Sequence, residues 1–140
     1  MSEKITVTYY ISDDGWVYTD SFGAAMLEGR ADRSTGITEK AGHRILTLPE
    51  HVDGMEVYIV GFDAEYDDTV TDVIIPDGVG IIGSKAFCGW RKLRRVSVPD
   101  SVQEITEGAF SGTAIPHRVQ KKLYERELRV TENPEEVKHP

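Results

Sequence analysis

The sequence has little cysteine, no long apolar run and a shortage of basic charge. Cys88 is the one cysteine among 140 residues, which excludes an internal disulfide and a zinc site made of several thiolates. No stretch of about 18 apolar residues indicates a membrane helix, and no charged-then-apolar leader opens the chain. We expect a cytoplasmic protein from the sequence as written, or a cell-surface or secreted one if a leader has been removed.

Acidic side chains outnumber basic ones. The chain has 24 Asp and Glu against 16 Lys and Arg, a formal net charge of -8, which argues against a general nucleic-acid binder and against adhesion to anionic lipid. Residues 116–130 run the other way, with five basic and two acidic residues. That segment therefore carries +3 and the remainder -11.

A 23-residue spacing relates residues 73–89 to residues 96–112. The matched pairs are Val73 and Val96, Ile75 and Val98, Pro76 and Pro99, Asp77 and Asp100, Val79 and Val102, Ile82 and Ile105, Ala86 and Ala109, Phe87 and Phe110, and Gly89 and Gly112. A unit of this size cannot bury its own apolar face, so it stacks on its neighbours. The pattern predicts a short solenoid, mostly of β-strands, with outer surfaces free for binding.

Within each unit the residue types predict where the side chains point. Leu93, Val96 and Val98 alternate with the outward-facing residues Arg94, Arg95 and Ser97, as in a short strand. Proline then ends the strand, because it supplies no ladder donor. The Phe of each unit is predicted to stack in a dry interior, Phe110 over Phe87.

The chain divides into four predicted segments. Residues 1–42 form an N-terminal β cap, with a hairpin turning at residues 13–15, a third strand near residues 24–27 and an exposed loop over residues 28–42. Residues 43–115 hold three repeats (43–69, 70–92 and 93–115). The first repeat is degenerate, with Ala64 as its small residue and Tyr66 at the Phe position. Residues 116–130 form a capping helix, and residues 131–140 a flexible tail.

The capping helix is predicted from its periodicity. Ile115, Val119, Leu123 and Val130 fall on one stripe that covers the last repeat. Tyr124 and Leu128 lie opposite this stripe and are expected to be exposed, which makes a homodimer possible.

The repeated phrase Val-x-Val-Pro-Asp-x-Val-x-x-Ile-x-x-x-Ala-Phe-x-Gly resembles the BspA-like class of leucine-rich repeats over residues 46–115. This resemblance implies a right-handed leucine-rich-repeat solenoid of two clear repeats and one degenerate repeat. It also implies a non-enzymatic scaffold of the kind that bacterial surface proteins use for adhesion or protein recognition. Family units carry Cys three residues after the Phe, where this chain has Trp90, so we expect Trp90 to fill that space.

Three motifs suggest chemistry and are better explained by structure. Cys88 corresponds to Ser111 in the next unit and has no nucleophile motif beside it. Asp63, Glu65 and Asp67 alternate as in a calcium loop but lack its Gly and its bidentate Glu, so we interpret residues 63–68 as a solvated acidic bulge.

Gly78, Gly80 and Gly83 resemble a phosphate loop, but their counterparts are Ser101, Gln103 and Thr106, so the glycines are predicted to be dispensable. We predict no catalytic residue, metal site or cofactor.

The candidate binding residues are those that repeat on the outside of the stack. Tyr58, Ile59 and Ile81 are predicted to form an exposed apolar patch. A polar strip combines one row, Arg44, Thr71 and Arg94, with a second, Ile45, Asp72 and Arg95. The predicted function is a non-enzymatic module that binds another protein through these surfaces. The alternative is an acidic inhibitor that occupies a basic groove on a nucleic-acid-handling enzyme.

Overall fold

The computed structural model describes residues 6–62 and 65–125, and these residues form two β-sheets and one helix. The strands are β1 (Tyr10–Ile11), β2 (Trp16–Ser21), β3 (Ala24–Arg30), β4 (Ile37–Lys40), β5 (His43–Thr47), β6 (His51–Val52), β7 (Met55–Val60), β8 (Asp72–Ile74), β9 (Ile81–Ile82), β10 (Arg95–Ser97) and β11 (Glu104–Ile105). The helix α1 covers His117–Tyr124.

Two series of parallel strands carry the repeat. The smaller sheet has the order β10-β8-β5-β4, and the larger has the order β1-β2-β3-β7-β9-β11, with β6 beside β7. Arg95 pairs with Asp72 in the smaller sheet, and Glu104 pairs with Ile81 in the larger one. Residues 23 positions apart therefore lie side by side in both sheets of the two later units.

The phenylalanines form a column between the sheets. Phe62, Phe87 and Phe110 are fully buried. The ring centroids of Phe87 and Phe110 lie 5.7 Å apart with the planes 6° from parallel, which confirms the predicted stack. Phe62 continues the column, its centroid 5.8 Å from that of Phe87. The prediction of Tyr66 for this position is wrong, because the Tyr66 side chain is exposed; Ala64 lies outside the described residues.

A glycine lies two residues after each of the two later phenylalanines, and the backbone conformation there explains why. Gly89 and Gly112 have φ angles of 83° and 77°, in the left-handed region that a side chain disfavours. The chain reverses there to enter the next unit. The Phe-x-Gly phrase therefore combines a core anchor with the turn that follows it.

The N-terminal residues add strands to both sheets. The hairpin is confirmed, since β1 pairs antiparallel with β2, and the predicted third strand is β3, which runs parallel to β7. The exposed loop predicted over residues 28–42 is wrong in two places, because β3 extends to Arg30 and β4 pairs antiparallel with β5. The residues of β4 are mostly polar, so its order comes from hydrogen bonds to β5, which no local alternation indicates.

The helix α1 lies against the last unit. Ile115 is buried, and Val119 and Leu123 pack against the core, as the predicted stripe requires. The prediction that Tyr124 is exposed is wrong: the Phe110 N–H donates to the Tyr124 hydroxyl at 2.9 Å, and the two rings stack. Leu128, Val130 and the predicted tail lie outside the described residues.

The interpretation of the acidic segment after β7 as a solvated bulge is wrong for Asp67, which is buried, and for Glu65, which is mostly buried. Asp67 is 0% exposed and accepts a hydrogen bond from Arg30 at 2.7 Å, while the Arg30 Nε donates to Glu65 at 2.5 Å. Burial acts to raise the pKa of Asp67, but hydrogen bonds from Thr69 and Arg30 outweigh it and lower the pKa. Trp90 is buried, as predicted, and the Arg30 guanidinium lies over its ring, 5.8 Å from the ring centroid.

Candidate binding surfaces

The apolar patch lies on the larger sheet. Ile59 and Ile81 are directly opposite each other on β7 and β9, both half-buried. Tyr58 is 39% exposed, and its ring covers Gly80, where an added Cβ would lie 2.4 Å from the ring. A side chain at position 80 would therefore have to displace the Tyr58 ring.

The polar strip crosses the three parallel strands of the smaller sheet. The backbone bonds join its first row, since the Thr71 N–H donates to the Arg44 carbonyl and the Arg94 N–H donates to the Thr71 carbonyl, both at 2.9 Å. In the second row Asp72 pairs with Ile45 on one side and with Arg95 on the other. The structure thus brings all six predicted residues into two adjacent rows.

Asp72 organises the strip. Its carboxylate accepts hydrogen bonds from the Thr71 hydroxyl at 2.6 Å and the Arg95 Nε at 3.1 Å, and it contacts the His43 Nδ1 at 2.9 Å. Partial burial acts to raise the pKa of Asp72, but these three partners outweigh it and lower the pKa to about 2. The carboxylate is therefore charged at neutral pH and binds the Arg95 guanidinium.

Three further basic residues extend the strip, and the sequence interpretation did not include them. His43 contacts Asp72, and Lys40 and Lys92 line a hollow beside Arg44. The run Arg91-Lys92-Leu93-Arg94-Arg95, four cations in five residues, could have indicated Lys92. His43 comes near it because β5 pairs with β8. Lys40 comes near it because β4 pairs with β5, and the sequence predicts a loop at β4.

The remaining candidates are dispersed. Cys88 is exposed on the turn after Phe87. Among residues 6–62 and 65–125, no three His, Cys, Asp or Glu side chains are grouped so that they could hold a metal ion. Within the same ranges, no helix has the length and apolarity that a membrane span needs.

The strand order and the repeat phrase are those of a leucine-rich-repeat fold, and comparison with known proteins agrees. Residues 60–122 match the family model described as "BspA type Leucine rich repeat region (6 copies)". Residues 60–122 are therefore similar to repeats of the BspA type. No match was found among curated proteins.

Three crystal structures share this fold. A leucine-rich repeat protein from Bacteroides capillosus is 27% identical to this chain, with a TM-score of 0.59. The match covers 75% of this chain and 77% of the B. capillosus chain. The T. pallidum leucine-rich repeat protein is 25% identical with a TM-score of 0.53, covering 76% of this chain. A leucine-rich cell surface protein from Faecalibacterium prausnitzii is 23% identical with a TM-score of 0.54, covering 77% of this chain. The chain spans 42% of the T. pallidum protein and 29% of the F. prausnitzii protein.

Proposed function

We propose that the protein is a non-enzymatic module that binds another protein through its repeat surface. In this proposal the solenoid has two complete repeats and one degenerate repeat, with the N-terminal strands and α1 covering its ends. Leucine-rich repeat modules generally mediate protein interactions, which supports the proposal. The partner contacts are the apolar patch, the polar strip, or both.

The observation that carries this proposal is the order already present in the polar strip. Arg44, Thr71 and Arg94 are held by backbone bonds across three strands, and Asp72 fixes Arg95 by a hydrogen bond. A partner binding there meets a backbone that is already ordered, so less of its binding energy is lost as conformational entropy. Such a pre-formed surface suits recognition.

The test is affinity capture from a lysate of the source organism, with quantitative mass spectrometry. Four baits are compared: the wild type, a patch variant (Tyr58→Ala with Ile81→Ser), a strip variant (Arg94→Ala with Arg95→Ala) and the control Lys85→Ala, which changes an exposed cation away from both surfaces. We expect at least one protein to be retained by the wild type and the control and reduced about tenfold or more by a surface variant, as for an interface hot spot.

Thermal unfolding of all four baits is the folding control. If every bait retains the same proteins in the same amounts while remaining folded, neither surface is a binding site and the proposal fails.

The acidic-inhibitor alternative is favoured by one observation. Asp77 and Asp100 are exposed at equivalent positions of consecutive units, so the repeat itself sets carboxylates at a regular spacing. A partner bound in this way is basic, is released by moderate salt, and is lost on Asp77→Asn rather than on the strip substitutions. The charge of the captured protein therefore separates the two functions.

A further inference from the structure

We propose that the polar strip, together with the hollow beside it, binds an acidic peptide segment of the partner protein. The inference deepens the proposed function by naming the chemistry that one of its surfaces recognises. It is carried by local charge, by an unsatisfied donor and by the spacing of the cations.

The local charge is opposite to that of the whole chain. The cations of this region are Lys40, Arg44, Arg91, Lys92, Arg94 and Arg95, and its carboxylates are Glu39, Asp68 and Asp72. Each carboxylate is already paired, Glu39 with Arg44, Asp68 with Arg91 and Asp72 with Arg95. The region therefore keeps an excess of three positive charges on a protein whose net charge is -8.

The three cations in excess are Lys40, Lys92 and Arg94, which have no carboxylate partner in the described part of the chain. Arg94 instead places its Nη2 3.2 Å from the His43 Nδ1. A cation beside an imidazole rather than a carboxylate has unused attraction for an anion. The unpaired positive charge of the strip therefore lies at Lys40, Lys92 and Arg94.

A hollow of about 510 Å³ lies beside Arg44, and two of the three excess cations, Lys40 and Lys92, line it. Its charged and basic lining residues are Lys40, His43, Arg44, Lys92 and one carboxylate, Glu39, which is paired with Arg44. Arg44 lines the hollow, and its Nε is buried without a hydrogen-bond partner among the described residues, although an unpaired buried donor is costly. A carboxylate entering the hollow would find Lys40 and Lys92, neither of which has a carboxylate partner in the described part of the chain.

The spacing suits an extended chain. Arg44 and Arg94 occupy equivalent positions on either side of Thr71, two strand separations or about 9.5 Å apart. Side chains on one face of an extended peptide repeat every 6.5 to 7 Å or so. The long side chains of Lys40 and Lys92 beside Arg44, and that of Arg94, cover the difference. Arg94 has no carboxylate partner among the described residues, and an Arg binds a carboxylate through two parallel hydrogen bonds.

The occupant is a short acidic segment rather than a nucleic acid. Charge interactions are screened beyond about 8 Å at physiological salt, so a short segment senses mainly the local cations. A longer polyanion also meets the acidic remainder of the chain, which carries -11 outside residues 116–130. Phosphate polymers are therefore disfavoured on the same surface.

The experiment measures fluorescence anisotropy with a labelled decapeptide of alternating Glu and Ser, which places its carboxylates on one face when extended. The matched peptide replaces every Glu by Gln. The test variant is Lys92→Glu with Arg94→Glu, and the control variant is Lys85→Glu with Arg118→Glu. All four sites are exposed, and both variants change the net charge by the same amount. We expect the test variant to weaken binding of the Glu peptide at least tenfold, the control variant less than about threefold, and the Gln peptide not to bind.

Several results would overturn the inference. Equal loss in the two variants would mean that net charge, not the strip, governs binding. Equal binding of the Gln and Glu peptides would show that the carboxylates are not recognised. Tighter binding of a 10-base-pair DNA duplex than of the Glu peptide would show that the occupant is a nucleic acid. A dimer in light scattering that is absent in the test variant would make the occupant a second copy. If the peptide fails while the capture experiment loses a partner on the patch substitutions, the proposed function stands without this inference.

Discussion

A single aromatic residue at the end of each unit accounts for much of the core. Phe87 packs against Phe62 on one side and Phe110 on the other. The rings of Phe87 and Trp90 are arranged edge to face, with centroids 5.0 Å apart. Removing the middle ring would leave a cavity facing three aromatic neighbours. The dispersion attraction between that ring and its neighbours is then missing, and only a collapse of the surrounding structure could restore part of it.

Phe87→Ala is therefore expected to lower the free energy of unfolding by about 3 to 5 kcal/mol. Urea denaturation followed by circular dichroism measures it. Phe22→Ala is the matched control, because Phe22 is fully exposed at the tip of the β2–β3 turn and its loss should change stability by less than about 0.5 kcal/mol. A cost below about 1 kcal/mol for Phe87→Ala would contradict the aromatic column.

Asp72 makes the stability depend on pH. Its folded pKa of about 2 lies below the ordinary value of 3.8, so its stabilising contribution is complete above about pH 4 and is lost as the pH falls toward 2. Asp72→Asn should lower the stability at pH 5 by about 2 kcal/mol, with the difference from the wild type narrowing toward pH 2. Urea midpoints at pH 5, 4, 3 and 2.5 measure the difference. A difference that stays constant over this range would show that the charge of Asp72 does not stabilise the fold.

Between elements, Arg30 joins the end of β3 to the segment that follows β7. Its side chain is 1% exposed and ion-paired with both Glu65 and Asp67. This contact spans 35 to 37 positions of sequence. The N-terminal strands are therefore attached to the first unit by buried charge as well as by the β3–β7 pairing.

Arg30→Met leaves Asp67 buried without its cation, and we expect it to cost about 3 to 5 kcal/mol. Adding Glu65→Gln and Asp67→Asn should recover part of that loss, because the uncompensated charge is removed. Arg91→Met, at an exposed ion pair, is the control and should cost less than about 1 kcal/mol. If the triple variant is no more stable than Arg30→Met, the penalty comes from poorer packing rather than from the stranded carboxylate. The thermal unfolding midpoints of the four proteins decide this.

The sequence predicts elements well where the repeat recurs and poorly where it does not. The strands, the proline-ended turns and the Phe87–Phe110 stack follow from positions that match twice. Phe62 was missed because the first unit deviates from the phrase, and β4 because its order comes from a partner strand. The burial of Asp67 depends on Arg30, a distant residue that no local pattern identifies. The two rows of the polar strip could be predicted from the 23-residue spacing of the repeat. The hollow could not, because it is formed by the β4–β5 pairing.

Across the whole molecule, the larger sheet is continuous from β1 to β11, and one hydrophobic core includes residues from Trp16 to Ile115. Neither the N-terminal strands nor any single repeat encloses a core of its own. Nearest-neighbour interfaces of this kind couple the stability of adjacent units. In a short array, opening one interface exposes the core of its neighbours.

We therefore expect the chain to unfold in one transition, and its two tryptophans can report on it from different ends. Trp16 is buried in β2 against Gly36, and Trp90 is buried in the repeats beside Phe87. Trp90→Phe leaves a reporter in the N-terminal strands, and Trp16→Phe leaves one in the repeats. In each variant the urea midpoint from fluorescence should coincide with that from far-ultraviolet circular dichroism, as a two-state transition requires. Comparison is made within each variant, since both substitutions cost stability. A fluorescence midpoint for Trp16 clearly below the circular dichroism midpoint of the same protein would show that the N-terminal strands open separately, and that the repeats remain folded without them.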